Sequence, residues 1–301
     1  MLEMIQSFFT ASVQFLVKLL ISAFPFINAI LIVVAGCLGT LLYKRLQPVW
    51  RDIMTRTIGL AVLLLGISEL WDSFFVWEDG QVEIAGTMLV VFALLVGGVF
   101  GYALDVDRLL GRLGVVLYRL FEGRDTDKNP AGNGHGGKNQ KEELPPELLA
   151  AEVIRVQQRT EGFTMATVLC GFSSTVITHF LVGRMTDDSI PLLVKLGIDF
   201  VIIFALTAIY GSGTPFAAVT VLLSEGVLGL VYTLWGDLLT PEILDQTALV
   251  GAVILLVGGI QLATGKKIRP ANLLPALLIP GLYTLLVTKI EEAVENAGKD
   301  K

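Results

Sequence analysis

Eight stretches of this chain are each apolar over close to the length a helix needs to cross about 30 Å of hydrocarbon. They are residues 27–43, 57–77, 84–104, 162–182, 191–210, 214–234, 247–264 and 271–288. Inside hydrocarbon every backbone N–H and C=O has to be satisfied within the segment or in a closed barrel, so runs of this length read as helices. The expected fold is therefore all-α, a polytopic transmembrane helix bundle of about eight spans. Composition agrees: mean hydropathy is +0.70, and charged residues make up 17% where a soluble domain carries about 25%. Too few charges remain to coat a water-facing surface, which excludes a cytosolic enzyme, a nucleic-acid-binding protein and a disulfide-rich secreted module. A net charge of -6 argues against a polybasic surface protein.

Lys and Arg bias sets orientation. Basic residues follow the first span (Lys44, Arg45, Arg51, Arg56), the third (residues 108–141) and the seventh (Lys266, Lys267, Arg269), whereas the alternate loops carry Glu78, Asp79, Glu83, Asp187, Asp188, Asp237, Glu242 and Asp245. With eight spans the basic loops all fall on one side, the cytoplasmic one, and the tail after Thr288 falls outside. Residues 8–26, with Gln14, Lys18 and Pro25, fit either a further span or an amphipathic helix lying in the interface. The chain then divides into an N-terminal helix (1–26), a three-span half (27–121), a linker (122–144), a C-terminal half (145–290) and a polar tail (291–301). Residues 123–143 almost lack aliphatic and aromatic side chains and read as a flexible cytoplasmic linker, where His135 is solvated. Pro145 and Pro146 open a helix through Arg159 with an apolar stripe, expected to dock at the membrane edge.

The second span reads Gly59 to Glu69 and the seventh Gly251 to Gln261, with glycine and a polar residue at nearly the same phase and opposite expected direction. That is the pattern of an inverted repeat, common in secondary transporters; similar composition alone also produces it. Gly97 and Gly101 form a GxxxG that suits close packing within one protomer or across a homodimer.

Ionisable residues at membrane depth are expensive and mark candidate sites. Asp105, Asp107, Arg108 and Glu161 lie at span ends, where interfacial pairing accounts for them. Lys195 and Asp199, four apart, share a helix face. Glu225 sits halfway through its span among Leu222, Leu223, Val227 and Leu228, so it must face protein or water. Asn28, Glu69, His179 and Lys195 are secondary candidates. Gly211, Ser212, Gly213 and Thr214, before Pro215, read either as a tight cytoplasmic turn or as a re-entrant tip whose N–H groups favour an anion. Pro275 and Pro280 should break the eighth span, bringing Asn272 and, from the preceding span, Gln261 to a cavity. Cys37 and Cys170 lie inside apolar runs, and no metal-ligand spacing appears, so neither metal nor cofactor is expected.

Lys195 with Asp199, Gly211-x-Gly213, Glu225-Gly226, and Gly265-Lys-Lys-Ile-Arg269-x-Ala-Asn272-Leu-Leu-Pro275-Ala together resemble a bacterial and archaeal integral-membrane family catalogued as a domain of unknown function (number 554, YdfK/YqgA-like). Asn28, Gly36, Gly59, Gly162-Phe163 and Cys170 fit the same pattern, and the chain departs from it at Glu225, Phe200 and Gln261. The resemblance implies a multi-pass protein of the cytoplasmic membrane. Residues and resemblance together lead to an expected transporter or channel-like permease for a small polar or charged solute. Its site is expected from Asp199, Gly211–Thr214, Glu225, Gln261 and Asn272, with the bilayer and the solute as partners and no nucleic acid. The alternatives are a structural or regulatory membrane protein and, third, a membrane-embedded enzyme, for which no GxSxG or His/Glu metal motif is present.

Overall fold

The computed structural model describes residues 2–78, 81–84, 87–122, 146–173, 189–235 and 240–299. Helices dominate: α1 (Leu2–Tyr43), α2 (Pro48–Phe74), α3 (Thr87–Leu104), α4 (Val106–Glu122), α5 (Pro146–Ala166), α6 (Ser189–Tyr210), α7 (Ala217–Trp235), α8 (Pro241–Thr264) and α9 (Ile279–Lys299). A π-helical turn, Thr167–Gly171, extends α5; 3-10 turns at Thr214–Phe216 and Pro270–Leu278 precede α7 and α9. Among the described residues six helices are long and apolar enough to cross a membrane, or seven if α3 and α4, bent by 51° at Asp105, form one broken span. The expected fourth span begins in α5 and runs into residues 174–182, outside the described residues.

Several boundaries differ from the sequence reading. The second span ends at Phe74, not Trp77, because Phe75–Glu78 pairs antiparallel with Gln81–Ile84, Val76 opposite Glu83 and Trp77 opposite Val82. Aromatic and β-branched residues are as content in a strand as in an apolar helix, so hydropathy cannot tell the two apart. The N-terminal helix and first span are one helix that continues through Pro25, and its membrane-length part is Ala23–Tyr43. The expected surface helix and the start of the fourth span are likewise continuous: Glu152 to Gln158 are exposed and Gly162 to Cys170 buried. The eighth span is broken as its prolines require, Pro275 lying in a 3-10 segment that needs fewer α-type backbone bonds.

Small residues determine which helices touch, since lipid gives no hydrophobic drive to helix pairing. Gly59 and Gly66 of α2 lie against Leu262, Ala263 and Leu256 of α8, with Gly259 against Leu63; the two helices run antiparallel. Gly97 and Gly101 of α3 lie against Ala276 and Asn272, again antiparallel. The GxxxG face is thus covered by the chain's own 270–278 segment. Gly36 of α1 meets Pro215, and Asn28 meets Glu225, so α1 and α7 are a third antiparallel pair. By contrast α1 and α6 run parallel, Asn28 beside Asp199 and Gly39 beside Thr207. The core is built on Ile32, Val62, Phe163, Leu169, Ile203, Leu206, Val221 and Leu255. Outward residues such as Leu64, Leu95, Val99 and Leu223 are exposed and apolar, the surface a lipid-facing bundle presents.

Candidate functional site

Four polar side chains, each wholly buried, meet where α1, α6 and α7 converge: Asn28, Lys195, Asp199 and Glu225. Lys195 and Asp199 are one turn apart, so the ammonium reaches Asp199 Oδ2 at 2.6 Å. It also lies 3.3 Å from Glu225 Oε1 and donates to the Cys170 carbonyl at 3.0 Å. That carbonyl belongs to the π-helical turn that extends α5. The Asn28 amide donates to both acids, Asp199 Oδ2 at 2.7 Å and Glu225 Oε1 at 2.7 Å. All donors of Lys195 and Asn28 are then in use. The acceptors are not: Asn28 Oδ1, Asp199 Oδ1 and Glu225 Oε2 are buried without a hydrogen-bond partner. With both acids ionised the cluster carries one ammonium and two carboxylates, a net charge of about −1 in a setting where an uncompensated charge costs several kcal/mol.

The remaining candidates are placed elsewhere. Gly211 adopts φ 87°, a left-handed conformation glycine takes freely, and it stacks against the Tyr43 ring. A Cβ on Gly213 would collide with the Arg159 carbonyl, and one on Gly162 with Thr214 Oγ1. The 211–214 turn is therefore the seat of α5 rather than an exposed loop; Gly211, Gly213 and Thr214 are buried. It lies beyond the end of α6, about 18 Å of helix rise from Asp199, too far to share a small solute with that carboxylate. Gln261 Oε1 accepts from the backbone N–H of Ile268 and Arg269, bracing the loop after α8. Asn272 Oδ1 accepts from the Asp107 N–H at 2.8 Å and caps α4. Both support the break before the eighth span, and neither belongs to the buried quartet. Glu69 is buried on α2, outside the quartet's hydrogen bonds. His179 lies outside the described residues.

Toward the basic end of the bundle a cavity of about 610 Å³ is lined by residues that include Asp105, Asp107, Glu161, Thr164, Gln261 and Arg269. Four of its charges are paired: Arg108 with Asp105 at 3.2 Å, and Arg269 with Asp105 at 3.6 Å and with Asp107 at 4.0 Å. Burial pushes the Glu161 carboxyl above the usual range, an effect the Lys267 ammonium partly offsets and Asp107 adds to. Thr164 lines this cavity, and one turn further along the helix the buried Thr167 shares a 2.8 Å hydrogen bond with Thr220 of α7. The sequence reading did not single out these threonines or the Cys170 carbonyl. Hydroxyls at i, i+3 spacing just before Cys170 were the available signal.

No solved structure matches the chain. Among curated proteins it is similar to the uncharacterized protein YqgA of Escherichia coli (strain K12), 26% identical over 255 residues that cover 85% of this chain and 93% of that one. It is also similar to the uncharacterized membrane protein YdfK of Bacillus subtilis (strain 168), 20% identical over 260 residues, 86% of this chain and 94% of the relative. The family model described as "Protein of unknown function (DUF554)" matches residues 24–285, nearly all of the membrane bundle, and the chain belongs to that family.

Proposed function

We propose that the protein is a secondary transporter for a small polar or charged solute in the cytoplasmic membrane of a prokaryote, and that Asn28, Lys195, Asp199 and Glu225 form its coupling centre. The observation that carries this reading is the quartet's excess of acceptors: one oxygen of each carboxylate and the amide oxygen lack partners among the described residues around a single ammonium. A proton or a monovalent cation from solution would restore neutrality, and its release would return the charge. The centre is thereby suited to couple ion uptake to movement of helices α1, α6 and α7. The 610 Å³ cavity, which Thr164 of α5 lines, supports access from the basic end, which the positive-inside rule assigns to the cytoplasm. The three antiparallel pairs, α1 with α7, α2 with α8, and α3 with the 270–278 segment, support an inverted repeat whose halves meet at the quartet. In this reading the chain is a carrier and has no catalytic residues.

One observation favours a second reading, a structural or regulatory membrane protein. The quartet's donors are all satisfied within the fold, as helix-joining polar groups often are. The two separate in proteoliposomes on a solid-supported membrane, challenged with a panel of amino acids and small carboxylates under pH and sodium gradients. A carrier gives substrate-dependent charge movement that Glu225→Gln and Asp199→Asn abolish. Absence of any such current across the panel in correctly inserted protein supports the structural reading.

A further inference from the structure

A second cavity at the basic end, about 540 Å³, lies between the end of α1, the start of α2, α5 and the 211–212 turn, and its charged lining is Lys44, Arg51, Arg155 and Arg159. Among the described residues no carboxylate lines it, in contrast to the neighbouring 610 Å³ cavity, whose three acids face its four bases. Among the described residues no ion pair joins Lys44, Arg51 or Arg155 to an acid. Arg51 is anchored by ring and carbonyl contacts that leave its charge uncancelled. Arg51 stacks 3.7 Å over Tyr43 and donates to the Tyr43 carbonyl, while its Nε is buried and without a partner. Arg159 stacks 4.5 Å over Tyr118. Lys44, Arg51 and Arg155, three cations without an acid partner among the described residues, converge on one concave site and repel one another unless an anion sits between them, and arginine forks suit phosphate oxygens.

We infer that this cavity binds a phosphate-class anion, either the headgroup of an anionic phospholipid or a free phosphate compound. Its rim favours access from the bilayer: Val49, Trp50 and Ile53 beside Arg51 are exposed apolar residues, and tryptophan is enriched at the depth of headgroups. The site is distinct from the buried quartet and stands whether or not the quartet couples transport. An anion there would tie α1, α2 and α5 to the 211–214 turn, and so set the resting position of α5.

The test uses the full chain in nanodiscs. Unfolding midpoints are compared in phosphatidylcholine alone, in phosphatidylcholine with phosphatidylglycerol, and in phosphatidylcholine with inorganic phosphate against chloride at equal ionic strength. The inference expects a rise of a few degrees with phosphatidylglycerol, if a headgroup fills the site, or with phosphate, if a free anion does. That rise should persist in the control Arg112→Gln/Lys267→Gln, which removes the same charge from the neighbouring cavity, and vanish in Lys44→Gln/Arg155→Gln, two exposed side chains outside the helix contacts. No rise in either arm, or an equal rise in both double variants, overturns it. Should the Lys44→Gln/Arg155→Gln protein be too unstable to compare, native mass spectrometry of the wild type decides: failure to retain either phosphatidylglycerol or phosphate above its phosphatidylcholine background overturns the inference.

Discussion

Lys195 is the residue on which the buried quartet depends most. Removing its ammonium leaves two buried carboxylates facing one amide, and breaking a buried pair in this way costs about 3–5 kcal/mol. Lys195→Met should therefore lower the unfolding midpoint sharply, whereas Lys195→Met/Asp199→Asn should recover much of the loss, a non-additivity that a double-mutant cycle in detergent measures directly. The spacing of Lys195 and Asp199 and the depth of Glu225 were legible in the sequence, because helical period and position along a span are local properties. That Asn28 links Asp199 to Glu225 was not, since it joins residues 171 and 197 positions apart and apolar periodicity does not say which helix lies beside which. Glu161, at the cavity mouth, offers a second check. Its folded carboxyl is held above the usual range chiefly by burial, so the stability it confers is present at acidic pH and lost as pH rises through its folded value. Glu161→Gln should unfold at a temperature close to wild type in acid and a higher one at pH 8; an equal offset at both would show that its ionisation is unimportant.

Among the helices, glycine decides the contacts. A side chain on Gly101 would strike the Asn272 carbonyl, and one on Gly213 the Arg159 carbonyl. Gly101→Val and Gly213→Val should each destabilise by at least the 1–3 kcal/mol typical of overpacking, visible as a lower midpoint and less folded protein. Gly197→Ala and Gly226→Ala, where nothing lies within 4 Å, should stay within about 0.5 kcal/mol of wild type. At Gly213 the close partner is the α5 backbone. The broken eighth span was legible because Pro275 and Pro280 each remove a backbone donor. The 75–84 hairpin and the π-helical turn at 167–171 were not, because the residues of both are compatible with an ordinary apolar helix. The site gains its Cys170 carbonyl from just such an irregularity.

Taken as a whole, the molecule gathers its basic residues at one end, around Lys44, Arg51, Arg159, Lys267 and Arg269, and that end should face the cytoplasm. On a background with Cys37 and Cys170 replaced, a cysteine at Lys266 should resist an impermeant maleimide in intact cells and one at Thr240, at the other end of α8, should react; the reverse pattern would invert the topology. Pairwise antiparallel packing of the early and late spans gives this orientation an architectural reason, with the quartet at the α1–α7 crossing. Uptake of a cation by the quartet should register in the unfolding midpoint of the solubilised protein, titrated with sodium chloride against choline chloride and with pH, in wild type and Glu225→Gln. Sodium or acidification should stabilise the wild type, and Glu225→Gln should lose that response while still folding. A wild type indifferent to both, or a Glu225→Gln protein that responds as the wild type does, would contradict that uptake.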